Sequence, residues 1–423
     1  MRKILTAIAV ACTSFAYAQA PRTNSGTEEI LRRVADRVIQ SSTFKFINPQ
    51  TGEKFDNTKG IPAGTVVRAE SAYNKWNYPN GVLTIGLMQM AGVLNDKKYS
   101  DYAERNISMI FDNQSFFEGL YNNTPVTNRN VAVPRTEYGA MFAMGSLDNT
   151  GAMSAGIMDV NALLKRKDID AYLTKSADYI SNKQLRLPDG ILARNNPRVN
   201  TIWADDMFMS IPYLARRGKL TGNKKYTDDA IKQVELFTKY LYDPTSGLYW
   251  HNYYTDVNMN GVAHWGRCNG WIAMSQVELL KNLPANHPKR AELIKLLLRQ
   301  IVGFSRYQDN GGLWHQLLDR PDSYLETSAS AMFIYTIATA VNEGWINEGY
   351  IKVARDGWRA LQAKITADGQ MPDVCVGTGV EENIHFYYTR PAALNDTHGL
   401  GPLLMAGSAM YTYEHKPRTT RTR

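Results

Sequence analysis

Cysteine is scarce in this chain of 423 residues, which contains three. Cys12 lies near the start, and the other two, Cys268 and Cys375, are too few to form a disulfide framework; their spacing does not indicate whether they pair. Long apolar runs are missing as well. Beyond the first twenty residues no stretch of about 18 apolar residues occurs, which excludes a membrane-spanning helix.

The body of the chain has no large excess of positive charge. The formal net charge is +8, but six cationic residues lie within the first three and last eight positions, which leaves +2 for the rest. A body so close to neutral argues against a nucleic-acid partner. We interpret residues 416–423 as a basic tail, which contains Lys416, Arg418, Arg421 and Arg423.

Several enzyme motifs are also absent. The seven histidines include no pair with the spacing of a His-Glu-x-x-His zinc site. No glycine-rich phosphate loop and no Gly-x-Ser-x-Gly turn stand in a strand–turn–helix context. We therefore expect neither a metal nor a cofactor. With 44% hydrophobic and 21% charged residues, the composition excludes a disordered or fibrous chain.

The first eighteen residues have the pattern of a secretory signal. Arg2 and Lys3 precede a short apolar stretch, and Ala16 and Ala18 form a small-x-small cleavage site. We expect export to the periplasm. A lipoprotein is disfavoured because the Ala9–Ala11 segment before Cys12 is a poor lipobox. Residues 19–415 are then interpreted as one domain, since a single helical toroid can have this length.

A turn containing glycine recurs along the chain and is followed by a short apolar or aromatic step. Its six copies are separated by 57 to 71 residues, and they are centred on Gly52, Gly119, Gly190, Gly247, Gly312 and Gly369. If all the turns face the same end of the fold, the polar residues four positions after the later glycines line one mouth. These are Asn123, Arg194, His251, Gln316 and Asp373.

Two helices fit between successive turns. Residues 226–241 have an apolar face at helical spacing, whereas residues 328–335 are small or apolar on all sides, as in a helix surrounded by neighbours. Twelve alternating helices predict an all-α (α/α)6 barrel, with an open helical solenoid as the alternative. The apolar stretch at residues 403–410 favours closure, because an open array needs polar ends.

Two segments carry candidate chemistry. Trp265, Arg267 and Trp271 suit an acidic sugar, because aromatic rings stack on sugar faces and guanidinium pairs with carboxylate; an aromatic helix start with a surface arginine is the alternative. Asp205 and Asp206 follow Trp203, and an aspartate buried there is expected to have the raised pKa that a general acid requires.

Capping is the alternative for these aspartates, and it applies equally to a further carboxylate candidate, Asp148, which stands near another helix start. The histidines at 251, 315, 385 and 398 are either sugar-binding donors or ordinary half-buried side chains.

The order of these motifs resembles glycoside hydrolase family 105, the unsaturated rhamnogalacturonyl or glucuronyl hydrolases, and more distantly family 88. The resemblance rests on Trp76-Asn77-Tyr78, Leu147-Asp148, Trp203-x-Asp205-x-x-x-Met209, Gly247-Leu248 with His251, Trp265-x-Arg267-x-Asn269-Gly270-Trp271, Gly312-Leu313-Trp314-x-Gln316, Tyr324-Leu325-Glu326 and Asn395-Asp396-x-His398. It covers nearly all of the chain after the signal and independently implies an (α/α)6 barrel.

The resemblance implies an enzyme that hydrates a double bond. Its substrate is a 4,5-unsaturated uronic acid at the non-reducing end of an acidic oligosaccharide made by a polysaccharide lyase. Asp205 resembles the acid that protonates C4 and then activates water, and Asp148 resembles its partner carboxylate. The implied binding shell contains His251, Trp265, Arg267 and Trp271, and we add Arg194, Trp203 and Gln316 as further candidate binding residues.

Two other functions remain open at this stage. One is an inverting glycosidase that uses Asp148 and Asp205 on a saturated acidic glycan, which needs carboxyl groups ~6.5 to 9.5 Å apart. The other is an exported glycan-binding protein without catalytic activity. No sequence feature specifies an oligomeric state.

Overall fold

The structure is a computed structural model, and it describes residues 26–125 and 136–417. The predicted signal, residues 1–18, and positions 418–423 of the predicted tail lie outside these ranges. Within the described residues, no helix combines the length and apolar character needed to cross a membrane. Cys268 and Cys375 are both buried and both free.

Helices make up most of the described part of the chain. The α-helices found there are α1 Gly26–Gln40, α2 Tyr78–Leu94, α3 Lys97–Asp112, α4 Gln114–Asn123, α5 Gly139–Ala143, α6 Leu147–Leu164, α7 Lys167–Asp178, α8 Ile211–Thr221, α9 Lys224–Leu241, α10 Gly266–Asn282, α11 Arg290–Ser305, α12 Thr327–Asn342, α13 Ile351–Lys364, α14 Ile384–Tyr388 and α15 Thr397–His415.

The strands are two or three residues long and pair in small antiparallel sheets. They are β1 Phe46–Ile47, β2 Lys54–Phe55, β3 Arg68–Ala69, β4 Ile202–Trp203, β5 Tyr242–Asp243, β6 Leu248–Tyr249, β7 Asn252–Tyr254, β8 Met259–Asn260, β9 Trp314–His315, β10 Leu325–Glu326, β11 Val374–Cys375 and β12 Ala392–Ala393. The sheet orders are β2-β1-β3, β4-β7-β8, β5-β6, β10-β9 and β11-β12.

Six helices form a closed inner ring. In chain order α2, α6, α8, α10, α12 and α15 each pack against the next, and α15 returns to pack against α2. Six others, α1, α3, α7, α9, α11 and α13, pack around the outside of this ring. The predicted (α/α)6 barrel is therefore confirmed, and the open solenoid is excluded.

The inner helices are buried on nearly all sides, and glycines, which have no side chain, allow them to pack closely. A Cβ atom on Gly401 of α15 would lie 2.6 Å from the backbone carbon of Val82 in α2, so a larger residue there would open the ring. Similarly, a Cβ atom on Gly151 of α6 would lie 1.5 Å from the carbonyl oxygen of Met209. Backbone thus packs directly on backbone where α6 meets the segment before α8.

The outer helices are amphipathic, as their sequence pattern predicts. In α9 the predicted apolar positions 226, 230, 234, 237 and 241 are all buried, and Lys232 is exposed. The turns from inner to outer helix also recur. Asp96 caps α3 by accepting from the backbone N–H two residues later, and Asn223 caps α9 in the same way. These caps fix equivalent helical hairpins at two positions around the barrel.

The repeated glycine turns are present in five of the six predicted copies. Gly52, Gly190, Gly247, Gly312 and Gly369 all have positive φ angles between 75° and 102°. The turn predicted at Gly119 is wrong, because this glycine lies inside α4. Asn123, the polar residue predicted from that copy, consequently ends a surface helix and is exposed.

Four of the glycine turns lead from the end of an outer helix towards the start of an inner one. They precede α8, α10, α12 and α15. Because outer and inner helices alternate along the chain, the inner helices all begin at the same end of the barrel, which we call the mouth. Asp373, predicted to line it, instead pairs its side chain with Lys364 at 2.7 Å on the surface.

Candidate active site

The predicted site residues meet at the mouth, near the starts of the inner helices. Asp148 lies in the first turn of α6, and Arg267 lies in the first turn of α10. Asp205 lies in a 3₁₀ turn, Ala204–Met207, just before α8. Helix N-termini expose backbone N–H groups and partial positive charge, so the mouth favours an anionic ligand.

None of the three aspartates acts as a helix cap. Ser146 caps α6 by accepting from the N–H of Asn149 at 3.3 Å, which leaves the Asp148 carboxylate free for other contacts. The 3₁₀ turn containing Asp205 and Asp206 has no side-chain cap. The capping alternative raised by the sequence is therefore wrong for these residues.

Asp205 contacts the ring of His251. The Oδ2 atom of Asp205 lies 3.0 Å from Nε2 of His251, whose Nδ1 lies 2.8 Å from the hydroxyl of Tyr387. An ionised carboxylate can only accept, so Nε2 carries the proton and Nδ1 accepts from Tyr387. Burial raises the pKa of Asp205, but His251, Arg194 and Arg267 outweigh it, so the pKa is lowered overall.

Arg194 lies between two other carboxylates. Its Nη1 and Nη2 atoms donate to the two oxygens of Asp148, each at 2.8 Å. Its Nε donates to both oxygens of Asp206 at 2.9 and 3.1 Å, and its Nη2 donates to Asp206 Oδ1 at 2.5 Å. Arg194 was predicted to bind substrate, yet in this structure its guanidinium is occupied by the acids of the site.

The buried aspartate with a raised pKa is Asp206. Its side chain has no exposed surface, and burial raises its pKa to about 6 despite the opposing effect of Arg194. The raised pKa expected from the sequence is thus found for Asp206, whereas the pKa of Asp205 is lowered. Burial alone did not distinguish the two residues, because the sign of the shift depends on which cations face each carboxylate.

Arg267 fixes a segment that crosses the mouth. It is 1% exposed, and its guanidinium donates to the carbonyl oxygens of Cys375 and, at 2.7 Å, Val376. The same segment reaches other walls of the mouth, because Gln316 Nε2 donates to the carbonyl of Tyr387 at 3.1 Å and Arg198 pairs with Glu382 at 2.5 Å. Residues 375–387 therefore form part of the site.

The aromatic residues differ in exposure. Trp265 and Trp271 are almost wholly buried; the first packs against His251 and the second against Phe208. Trp203 is only partly buried, and the guanidinium of Arg194 lies 4.5 Å from its ring centroid. Trp203 therefore presents a partly exposed ring at the mouth and also shields the guanidinium of Arg194.

Four predicted binding residues carry buried polar atoms without a hydrogen-bond partner among the described residues. These atoms are Trp265 Nε1, Arg267 Nε, Trp271 Nε1 and Gln316 Oε1. Buried polar atoms in folded proteins are nearly always hydrogen-bonded. Other atoms of this kind are spread over the described residues, for example in Glu70, Gln276 and Ser408, so these four do not by themselves mark a binding surface.

Tyr78 was missed as a site residue. Its hydroxyl lies 2.6 Å from Nε2 of His398, whose Nδ1 contacts Asp396. Burial raises the pKa of this hydroxyl strongly, and the charges of Arg267, Asp148, Asp205 and Arg194 also affect it. The motifs Trp76-Asn77-Tyr78 and Asn395-Asp396-x-His398 contained these residues, but only the closed ring brings them together.

The described residues include no group of three or more histidine, cysteine, aspartate or glutamate side chains arranged to hold a metal ion.

Comparison with known proteins places the chain in a family. The model of Glycosyl Hydrolase Family 88 matches residues 57–414. The unsaturated rhamnogalacturonyl hydrolase YesR of Bacillus subtilis is 31% identical over 232 residues, covering 52% of this chain and 65% of YesR. An unsaturated 3S-rhamnoglycuronyl hydrolase of Alteromonas is 28% identical over 224 residues, covering 51% of this chain and 52% of that enzyme. The matched region thus spans about half to two thirds of these curated relatives.

The fold has solved counterparts. The crystal structure of a possible member of the GH105 family from Klebsiella pneumoniae superposes with a TM-score of 0.73 at 23% identity, covering 97% of this chain and all of that one. This agreement over the whole length supports the same barrel.

Proposed function

The chain belongs to Glycosyl Hydrolase Family 88, and from that premise we propose that it removes a 4,5-unsaturated uronic acid from the non-reducing end of oligosaccharides produced by polysaccharide lyases. The reaction is hydration of the C4=C5 double bond. The family relatives named as unsaturated uronyl hydrolases support the substrate class. An acidic substrate also suits the helix N-termini at the mouth.

One observation carries the proposal: among Asp148, Asp205 and Asp206, only Asp205 keeps a carboxylate oxygen that no arginine occupies. Asp205 contacts His251 through Oδ2, and its Oδ1 has no partner among the described residues. In contrast, both oxygens of Asp148 accept from Arg194, and Asp206 is fully buried against the same guanidinium. A vinyl ether needs one proton donor, whereas an inverting glycosidase needs a separate acid and base.

The chemical steps follow from this arrangement. Asp205 protonates C4 of the double bond, and the developing cation at C5 is stabilised by the ring oxygen. The Asp205 carboxylate then takes a proton from water as that water bonds to C5. The resulting hemiketal opens and releases the remaining sugar, so one water is consumed and Asp205 regains its proton.

The lowered pKa of Asp205 in the free protein requires that substrate supply part of the activation. A substrate carboxylate brought close to Asp205 disfavours its ionised form and raises its pKa. We assign that carboxylate to the part of the mouth beside Arg267, whose charge already acts on Asp205. His251 holds the orientation of Asp205.

The test is the loss of ultraviolet absorbance of the conjugated enol ether when the protein is incubated with lyase-generated unsaturated disaccharides. We expect Asp205→Asn to lower the rate about a thousandfold, as expected for loss of a general acid. The matched control, Asp322→Asn, changes an exposed carboxylate that accepts from Tyr388 and should leave the rate unchanged.

Two outcomes contradict the proposal. Cleavage of saturated glycosides with unchanged enol absorbance supports an inverting glycosidase. Binding without turnover, retained in Asp205→Asn, supports a glycan-binding protein.

We also propose export to the periplasm, which the signal pattern of residues 1–18 supports. Sequencing the N-terminus of the protein from fractionated cells tests this. A mature chain that begins at Gln19 supports export, and one that begins at a lipid-modified Cys12 indicates a lipoprotein instead.

A further inference from the structure

The cluster formed by Asp148, Arg194 and Asp206, here called the mouth triad, joins three separate segments of the chain. Arg194 is fixed by two backbone hydrogen bonds with Thr201, each 2.8 Å long, so its side chain extends from a rigid base. Trp203 stacks on its guanidinium. The side chains of Arg194 and Asp206 are 13% and 0% exposed, so little water reaches the contact between them.

The mouth triad contains more negative than positive charge. When both carboxylates are ionised, the two anions exceed the one guanidinium by a single negative charge. The groups whose charges act on Asp206 are Arg194, Asp148 and Asp205, and the nearby Tyr179 hydroxyl is neutral because burial raises its pKa. Asp205 is therefore close enough for the charge of Asp206 to matter to it.

We propose that Asp206 is a positioning residue that acts through Arg194: it fixes both oxygens of Asp148 and occupies the guanidinium that would otherwise hold Asp205 as a carboxylate. The inference rests on the proposed role of Asp205 as proton donor. Without a counter-charge, Arg194 would favour the ionised form of Asp205 and remove the proton that the reaction needs. Asp206 thus acts on the chemistry without reaching the substrate.

Charge-changing variants separate this role from a purely structural one. Asp206→Asn keeps an amide oxygen for Arg194 and removes the excess negative charge. Arg194→Gln increases the excess to two negative charges. The double variant restores the original excess of one negative charge, but Asp148 loses its two hydrogen bonds from Arg194.

The measurement is the pH dependence of kcat, whose basic limb reports the group that must be protonated in the bound complex. We expect Asp206→Asn to move that limb about one pH unit lower and Arg194→Gln to move it about one unit higher. In the double variant the limb should return to its original position with kcat still reduced. If Arg194→Gln does not fold, the shift in Asp206→Asn decides alone. Lower rates with unmoved limbs would overturn the proposal.

A second readout does not depend on turnover. The pKa of Asp206 is raised from 3.8 to about 6, so the stability it contributes is present below pH 3.8 and is lost as pH rises towards 6. The melting temperature of the wild type should fall across that window relative to Asp206→Asn. If the wild type does not consume unsaturated substrates but shows this fall, the proposed function fails while the mouth triad stands. Parallel melting curves would overturn the triad itself.

Discussion

Two buried arginines occupy the two ends of the same barrel and differ in their charge balance. In the mouth triad, Arg194 joins Asp148 and Asp206. Further along the inner helices, Arg216 of α8 joins Asp159 of α6, at 2.9 Å, to Glu278 of α10, at 2.8 Å. We call this second group the base cluster.

The base cluster contains a second cation. Lys281 lies 3.4 Å from Glu278, and the hydroxyl of Tyr335 donates to the same carboxylate at 2.5 Å. Two anions and two cations therefore balance. Burial raises the pKa of Glu278, but Lys281 and Arg216 outweigh it and lower the pKa to about 2.

The comparison separates burial from function. Asp206 and Glu278 both have fully buried side chains, yet the pKa of Asp206 is raised to about 6 and that of Glu278 is lowered to about 2. The direction follows the number of cations present, since desolvation acts the same way on both. A balanced cluster holds helices together, and an unbalanced one leaves charge that can act on a neighbour.

The largest expected effect is in the base cluster. Glu278→Gln removes one partner of a buried ion pair and leaves Arg216 and Lys281 without their shared anion, so we expect a loss of about 3 to 5 kcal/mol in the free energy of unfolding. Urea denaturation at pH 7 measures it. Activity per folded molecule should not change. Asp206→Asn is the matched variant, and an equal loss of stability there would remove the distinction between the two clusters.

A pH series should separate the clusters next. The pKa of Glu278 is lowered from 4.5 to about 2, so its contribution to stability is present above pH 4.5 and is lost as pH falls towards 2. The expected change is on the order of 3 kcal/mol. Asp206 acts in the opposite sense, because its contribution is lost as pH rises from 3.8 to about 6.

Thermal unfolding of the wild type, Glu278→Gln and Asp206→Asn from pH 2 to pH 8 covers the two windows. Each substitution should remove the pH dependence of the melting temperature only in the window of the residue that it replaces. A variant that flattens both would show that the clusters are coupled through α6 and are not independent.

The smallest expected effect concerns a phenol at each end. Tyr335→Phe removes a hydrogen bond to the charged Glu278, which should cost about 1.5 to 3 kcal/mol of stability without altering turnover. Tyr78→Phe removes the hydroxyl beside His398 at the mouth, where we expect kcat/KM to fall about tenfold, equivalent to ~1.4 kcal/mol. Parallel melting and rate measurements on both variants test the contrast. The contrast between the two ends of the barrel is wrong if Tyr335→Phe lowers kcat/KM as much as Tyr78→Phe does.

The barrel could be predicted from local sequence because its signals are local. The turns at Gly190, Gly247 and Gly312 each needed only a few residues to be recognised, and the segment at 328–335, small or apolar on all sides, indicated an inner helix. The copy at Gly119 failed for the same reason: a local pattern does not distinguish a turn glycine from one inside a helix.

The site was less predictable because its contacts are long-range. Arg194 is 12 positions from Asp206 but 46 positions from Asp148, and the meeting of all three depends on how α6 packs beside the segment before α8. Likewise, Tyr78 and His398 are separated by 320 positions and meet only where the ring closes. The residue types were identifiable, but which cation faces which carboxylate was not.

Burial also changed the interpretation of the aromatic segment. Trp265 and Trp271 were predicted as sugar-stacking rings, and both are almost wholly enclosed by protein. Their composition pointed to the site, whereas their burial depends on packing against rings from other segments, His251 for Trp265 and Phe208 for Trp271. What these rings offer at the site is an indole N–H each.

Gly151 has no functional group, yet it sets the spacing between α6 and the segment before α8. Its contact with the carbonyl of Met209 places the N-terminal part of α6 against the segment that holds Asp205. Variant libraries directed at polar residues of the mouth would alter contacts but leave this spacing intact. An engineered change in the gap between the two acidic segments would start from a position that no search for reactive side chains selects.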